Sequence, residues 1–287
     1  MRPRALGLLL TVAFGLGAAL STGGPLRLDP QTEATFDQNA WLLVSQPRAE
    51  LASAAKQAPG WRPAVRLARA YASRRTGFTS FALRTPGRLY GFRGATTTRS
   101  ASVVKAMLMV TYLNHRSVRR RGLNGSDRAL IGPMIGRSDN DAATYVRNYV
   151  GNGALVRLAR RVGMREFSPN VVWGATRTSA RDQTKLFLNI DRFVVPRHRR
   201  FAMRMLGSIV SYQRWGIARV RPPGWALYFK GGWVPGTENQ VGLLRRGKRR
   251  VAVAVFTAGQ SSAYGRETER AVARLLLRGL RPSSIPR

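Results

Sequence analysis

Between Ser102 and Leu113 the chain leaves no face for water. Val103, Val104, Ala106, Met107, Leu108, Met109, Val110 and Leu113 occupy nearly every side of a helix drawn through this stretch. A helix that is apolar all round must be enclosed by other elements, so the chain has to build layers around it. One residue conflicts with that burial. Lys105 sits in the first turn, on the same face as Ser102 three residues earlier. Burying an ammonium without partners is costly. Either Lys105 runs its stem out to the surface, or it is kept inside for chemistry.

Two later segments favour chemistry. Ser138-Asp139-Asn140 and Lys230-Gly231-Gly232 follow Ser102-Val103-Val104-Lys105 along the chain. S-x-x-K, S-D-N and K-T-G, in that order, are the motifs of a class of serine acyl-transfer sites. The first two match fully and the third in two letters of three. Each is weak alone, since S-D-N also serves as a plain helix N-cap. Lysine usage adds weight: the chain has five lysines against 44 arginines, and two of the five fall inside these motifs. A lysine can lose its proton when buried, whereas an arginine cannot.

Composition removes several other chemistries. There is no cysteine among 287 residues, hence no disulfide, thiol nucleophile or thiolate metal site. The two histidines, His115 and His198, are far apart and flanked by arginines, which speaks against a histidine-held metal or a Ser-His-Asp triad. No cofactor is expected. With 44% hydrophobic residues the chain can bury a full core in one large unit or two tightly packed ones. Residues 1–21 read as a secretory signal: Arg2 and Arg4, an uncharged stretch from Ala5 to Leu20, and Ala19-Leu20-Ser21 as a cleavage site. An uncleaved anchor is the alternative, although the stretch is shorter than the ~20 residues of a comfortable span. The expected location is therefore outside the cytoplasm: secreted, periplasmic or wall-associated. The formal charge of +36 attracts polyanions, and anionic wall polymers are the expected class; no aromatic-interleaved nucleic-acid motif is present. Arg116, Arg119, Arg120 and Arg121 form the densest run, with Arg197, Arg199 and Arg200 next. An arginine-rich codon bias and a solvated surface would explain the same charge.

Along the chain, residues 22–32 read as a linker and Glu33–Lys56 as helical, with an interruption near Pro47. Arg62–Ser73 reads as a second helix. Phe78–Leu83 and Leu89–Phe92 alternate like strands around a Thr85-Pro86-Gly87-Arg88 turn. From Arg116 to about Leu206 the pattern is largely helical, including Ala142–Tyr149 and Ala154–Val162 joined through Gly151-Asn152-Gly153. Thr178–Asp182 reads as a capping segment before a periodic run. Strands are expected at Trp225–Lys230, Gln240–Leu244 and Val251–Thr257, the last two joined by a turn at Arg246-Gly247-Lys248. A closing helix is expected over Glu267–Leu280 with acids in its first turn. Strands at both ends imply an α/β (α+β) fold whose sheet is assembled from both halves of the chain, residues 33–98 and 207–287, with a helical lobe, 99–206, between them.

On these motifs, roughly residues 33–282 resemble the class A β-lactamase catalytic domain and its relatives among the penicillin-binding D,D-peptidases. The resemblance implies a five-stranded antiparallel sheet flanked by the first and last helices, an inserted all-helical lobe, and a cleft between them. It implies that Ser102 is the nucleophile, Lys105 its base, and Ser138 a proton relay between Lys105 and Lys230. Asn140 would bind the substrate amide and Lys230 the substrate carboxylate. Gly232 would line the groove, and the backbone amides of Ser102 and Trp233 would form the oxyanion hole. The substrates implied are β-lactams or acyl-D-alanyl-D-alanine peptides of the cell wall.

Two departures bear on turnover. The family's deacylation glutamate lies on a loop between S-D-N and the capping segment. The one carboxylate between Asp141 and Asp182 here is Glu166, without the family's surrounding pattern, and a surface pairing with arginine is its plainer role. Slow hydrolysis of the acyl-enzyme is expected. Gly231 replaces the family's Thr or Ser, which leaves the carboxylate to Lys230 and a nearby arginine such as Arg245 or Arg246. The two glycines are also compatible with a bulge at a strand edge. A non-catalytic polyanion-binding protein on the same fold, or an esterase for small acyl esters shaped by Trp233, would use the same sequence differently.

Overall fold

The alternation read at Phe78–Leu83 becomes the second strand of a five-stranded sheet in the computed structural model, which describes residues 61–280. The signal segment, the linker and the helical expectation for Glu33–Lys56 lie outside the described residues. Helix α1 (Trp61–Ser73) precedes strands β1 (Phe78–Arg84) and β2 (Leu89–Phe92). Their hairpin closes where Thr85 N donates to Arg88 O at 2.9 Å. Strands β5 (Ala226–Val234), β6 (Thr237–Arg246) and β7 (Arg249–Ala258) come from the other end of the chain. The sheet is antiparallel throughout, in the order β2-β1-β7-β6-β5. A two-stranded ribbon, β3 (Thr97–Arg99) with β4 (Arg177–Ser179), was not anticipated from the sequence.

Between the two halves of the sheet run a 3-10 turn, Ala101–Val104, and five helices: α2 (Lys105–Leu113), α3 (Gly125–Gly136), α4 (Asn140–Val162), α5 (Ala180–Leu188) and α6 (Pro196–Gly207). Every residue from Ala101 to Leu113 is buried, as the apolar pattern demands. Gly151, at φ 70° and ψ 162°, breaks α4 where the Gly-Asn-Gly joint was read; a positive φ costs glycine little. Ser179 caps α5 by accepting from Asp182 N, which places the cap inside the expected Thr178–Asp182 segment.

Two boundaries differ from expectation. The closing helix α7 spans Ser262–Leu277, capped by Ser261, and ends in a 3-10 turn at Arg278–Leu280. It starts five residues early because Ser261 supplies the cap, so Glu267 and Glu269 lie beyond its first turn and gain nothing from the helix dipole. Strand β5 continues past Lys230 to Val234. Its register (Gly231 opposite Gln240, Gly232 opposite Asn239, Trp233 opposite Glu238) has no skip, so the glycines form no bulge. Helices α1 and α7 pack together on the sheet, and the described residues fall within one compact unit.

Candidate active site

Ser102 lies in the 3-10 turn that feeds α2 and is 8% exposed. The preceding Ala101 adopts φ 44°, the left-handed region that side chains disfavour. Ser138, just before α4, adopts φ 66°. Such backbone costs of order 1–3 kcal/mol at each residue and concentrates at functional sites. Asp139, the middle residue of the motif, caps α4 by accepting from Ala142 N at 2.9 Å.

The strained turn at Ser138 joins the two motif lysines. Lys105 Nζ donates to Ser138 O at 2.5 Å, Ser138 Oγ at 3.2 Å and Asn140 Oδ1 at 2.8 Å. Lys230 Nζ donates to the same Ser138 Oγ at 3.1 Å, to Gly231 O at 2.9 Å and to Gln213 Oε1 at 3.4 Å. Both lysines are fully buried, which excludes a side chain running out to water. Burial pushes Lys105 down to about 7, against the opposing pull of Asp139. Burial, then the neighbouring Lys105, holds Lys230 well below the usual lysine range. Two ammonium groups sharing one hydroxyl cannot both stay charged cheaply, so one is readily neutral and able to accept a proton.

Strand β5 presses directly on the turn that carries Ser102. A Cβ placed on Gly232 would lie 2.5 Å from Ser102 N, 2.7 Å from Val103 N and 2.9 Å from Ser100 O. Only glycine permits this approach. It brings the strand carrying the Trp233 amide up to the turn carrying the Ser102 amide, the two groups expected to form the oxyanion hole.

Glu166 is directed elsewhere. Arg181 holds it in an ion pair, and Ser179 Oγ donates to it at 3.2 Å; it is the arginine-paired carboxylate that the plainer reading expected. Above Lys105 stands an indole instead: Lys105 Nζ is 4.6 Å from the Trp173 ring, and Trp173 Nε1 donates to Thr144 Oγ1. The other side of β5 carries a second tryptophan that sequence reading missed. A Cβ on Gly231 would lie 3.3 Å from Trp215, and Trp215 meets Trp233 edge-on at 5.2 Å. Trp215 Nε1 donates to Glu269 Oε2 at 2.6 Å. Neither expected arginine turns toward Lys230: Arg245 donates to Tyr228 Oη, and the Arg246 guanidinium lies about 4 Å from a Cβ built on Gly224. Gln213, Trp173 and Trp215 stand in no motif, so nothing in their spacing marked them.

The profile of the beta-lactamase enzyme family matches residues 119–280, more than half of the chain. The chain belongs to the beta-lactamase enzyme family. Solved structures show the same fold at low identity. A beta-lactamase from Sphaerobacter thermophilus is 21% identical, with TM-score 0.66, over 76% of this chain and 98% of that one. PBP-A is 16% identical, with TM-score 0.67, over 78% and 98%. A class A beta-lactamase from Mycobacterium abscessus is 17% identical, with TM-score 0.65, over 76% and 99%. No curated protein matches. Membership agrees with the sheet, the inserted helices and the order of the three motifs on them.

Proposed function

We propose that this family member is an exported serine acyl-enzyme hydrolase. It would take β-lactams or acyl-D-alanyl-D-alanine peptides through Ser102 and release the acyl group slowly. The observation that carries the reading is the pair of buried lysines meeting at one hydroxyl, Ser138 Oγ. A structural role would not need two buried amines at the same acceptor, whereas proton transfer does. The N-terminal segment supports export.

In the reaction, neutral Lys105 takes the proton of Ser102 Oγ as that oxygen attacks the substrate carbonyl. Negative charge develops on the carbonyl oxygen, where the Ser102 and Trp233 amides donate to it. The C–N bond then breaks. The nitrogen takes a proton through Ser138, which the Lys105–Lys230 pair resupplies. Asn140 and Lys230 hold the substrate on either side. Water must then cleave the ester, and that step needs a base. Glu166 is engaged by Arg181, and the group over Lys105 is an indole, which takes up no proton. These two observations favour a persistent adduct over fast turnover. A mutant of PBP-A has been solved as an acyl-enzyme complex with penicillin G, which makes penicillin the natural first probe.

The test is an intact-mass time course of the mature protein with a penicillin, beside Ser102→Ala. A lasting adduct on the wild type and none on the variant is expected. Hydrolysed drug with unmodified protein would keep Ser102 as nucleophile and overturn the slow release. Neither adduct nor hydrolysis would remove β-lactams and turn attention to small esters.

A further inference from the structure

Two arginine runs nearly eighty residues apart meet on one face of the helical lobe. Arg197 donates to the carbonyl of Arg120. His198, buried, meets the Val118 carbonyl at 3.2 Å; since that oxygen only accepts, the ring nitrogen donates. These contacts pin the start of α6 against the segment after α2. Between them and the first turn of α3 lies an open cavity of about 450 Å³, walled by Arg128, Arg197, Arg200, Arg204, His198 and Phe201 with Gly122 and Leu123. None of its walls is a carboxylate. The nearest acid in sequence, Asp127, is buried beneath Arg121 and Tyr112. Arg128 stacks over Phe201, 5.4 Å from the ring. No catalytic residue lines the cavity. Arg128 and Ser138 stand ten residues apart at opposite ends of α3, about 15 Å along a helix.

We propose that this cavity binds a linear polymer bearing phosphate in its repeat. Guanidinium forks match oxyanions in a fixed geometry. A planar carboxylate turns both oxygens toward one fork, whereas the free oxygens of a tetrahedral phosphate point in different directions and can be shared between neighbouring forks. Four guanidiniums without an internal acid call for more than one negative charge, and a repeating phosphate supplies it. Held there, the protein stays on an anionic matrix while its cleft remains free.

The net charge of +36 gives the whole surface some affinity for polyanions, so the test compares two variants of equal charge. Binding of labelled inorganic polyphosphate to the full chain is followed by anisotropy at ~0.15 M salt, where longer-range attraction is screened. Arg128→Ala/Arg200→Ala/Arg204→Ala removes the cavity. Arg62→Ala/Arg66→Ala/Arg74→Ala removes three exposed arginines from the end of the chain that carries α1. The first is expected to weaken binding about tenfold or more and the second by less than about threefold, as loss of direct phosphate contacts predicts. Equal losses, or no loss, would overturn the site; polyglutamate bound as tightly as polyphosphate would overturn phosphate. If the cavity triple does not fold, Arg200→Glu must weaken binding more than Arg66→Glu. Ser102→Ala is expected to bind like the wild type.

Discussion

Lys105 is where the sequence made its strongest demand and where the proposed chemistry is set. Its pKa falls to about 7 mainly through burial, so near neutral pH a large fraction is already neutral, as the proposed acylation of Ser102 requires. Acylation should fall about tenfold per pH unit below that value as Lys105 takes up a proton. The Trp173 indole acts on Lys105 in two opposed ways. Its face attracts the cation, by about 0.5–2 kcal/mol, while its bulk keeps water away. Burial is the largest cause of the shift, and the indole is part of what buries the amine, so we expect the second effect to exceed the first. Trp173→Ala should therefore move the acylation limb to higher pH and slow acylation at pH 7. A stopped-flow pH profile with a reporter β-lactam reads this directly; a limb displaced to lower pH would mean that the ring's attraction dominates.

Strand β5 shows how one element can serve two faces. Toward the helices it carries Lys230 to Ser138 and lets Gly232 touch the Ser102 turn. Gly231 faces Trp215, which fills the space where the family's hydroxyl-bearing residue would begin. Gly231→Thr is therefore not a simple restoration. Its Cβ meets the indole at 3.3 Å, so the single variant should acylate no faster and be less stable. In a Trp215→Ala background, which itself costs stability by stripping Glu269 of its donor, the threonine should cost less stability than it does alone and should gain affinity for a carboxylate-bearing β-lactam. A double-mutant cycle on KM and on the unfolding midpoint measures the coupling, and strictly additive effects would contradict the packing. This pair also marks the limit of sequence reading. Ser102, Lys105, Ser138 and Lys230 were legible because fixed spacing ties chemistry to a helix turn or a strand. The buried helix, both hairpins and the α5 cap were legible because periodicity and capping are local. Trp173, Gln213 and Trp215 come from irregular segments, where only tertiary contact decides what a side chain meets. Where α7 begins hung on a single serine cap.

Across the molecule, the wall of the candidate site is braced from behind by two buried carboxyl groups that resist ionisation. Glu269 is fully buried on α7, and Glu238 lies close by on β6. Burial and then Glu238 hold Glu269 well above the usual carboxylate range, and burial raises Glu238 as well. Arg266 reaches Glu238 at 3.4 Å and stacks over Trp215 at 4.4 Å. The helix from one end of the chain thus positions the tryptophan behind the strand that carries Lys230. The sign of the pH effect follows from linkage. Glu269 binds its proton more tightly folded than unfolded, so its contribution is complete below the unfolded value near 4.5 and is lost as pH rises toward the folded one. The lysines work in the opposite direction in a higher window. Lys105 is near 7 folded and 10.5 unfolded, so stability is regained as pH climbs between those values. Glu269→Gln keeps an acceptor for Trp215 and removes the ionisation. Its unfolding midpoint should match the wild type near pH 4.5 and exceed it increasingly as pH rises toward 8, with acylation little changed. A gap that stays constant with pH would show that Glu269 ionises in the folded protein at its unfolded value, and would leave its hydrogen bond to Trp215 as its whole contribution.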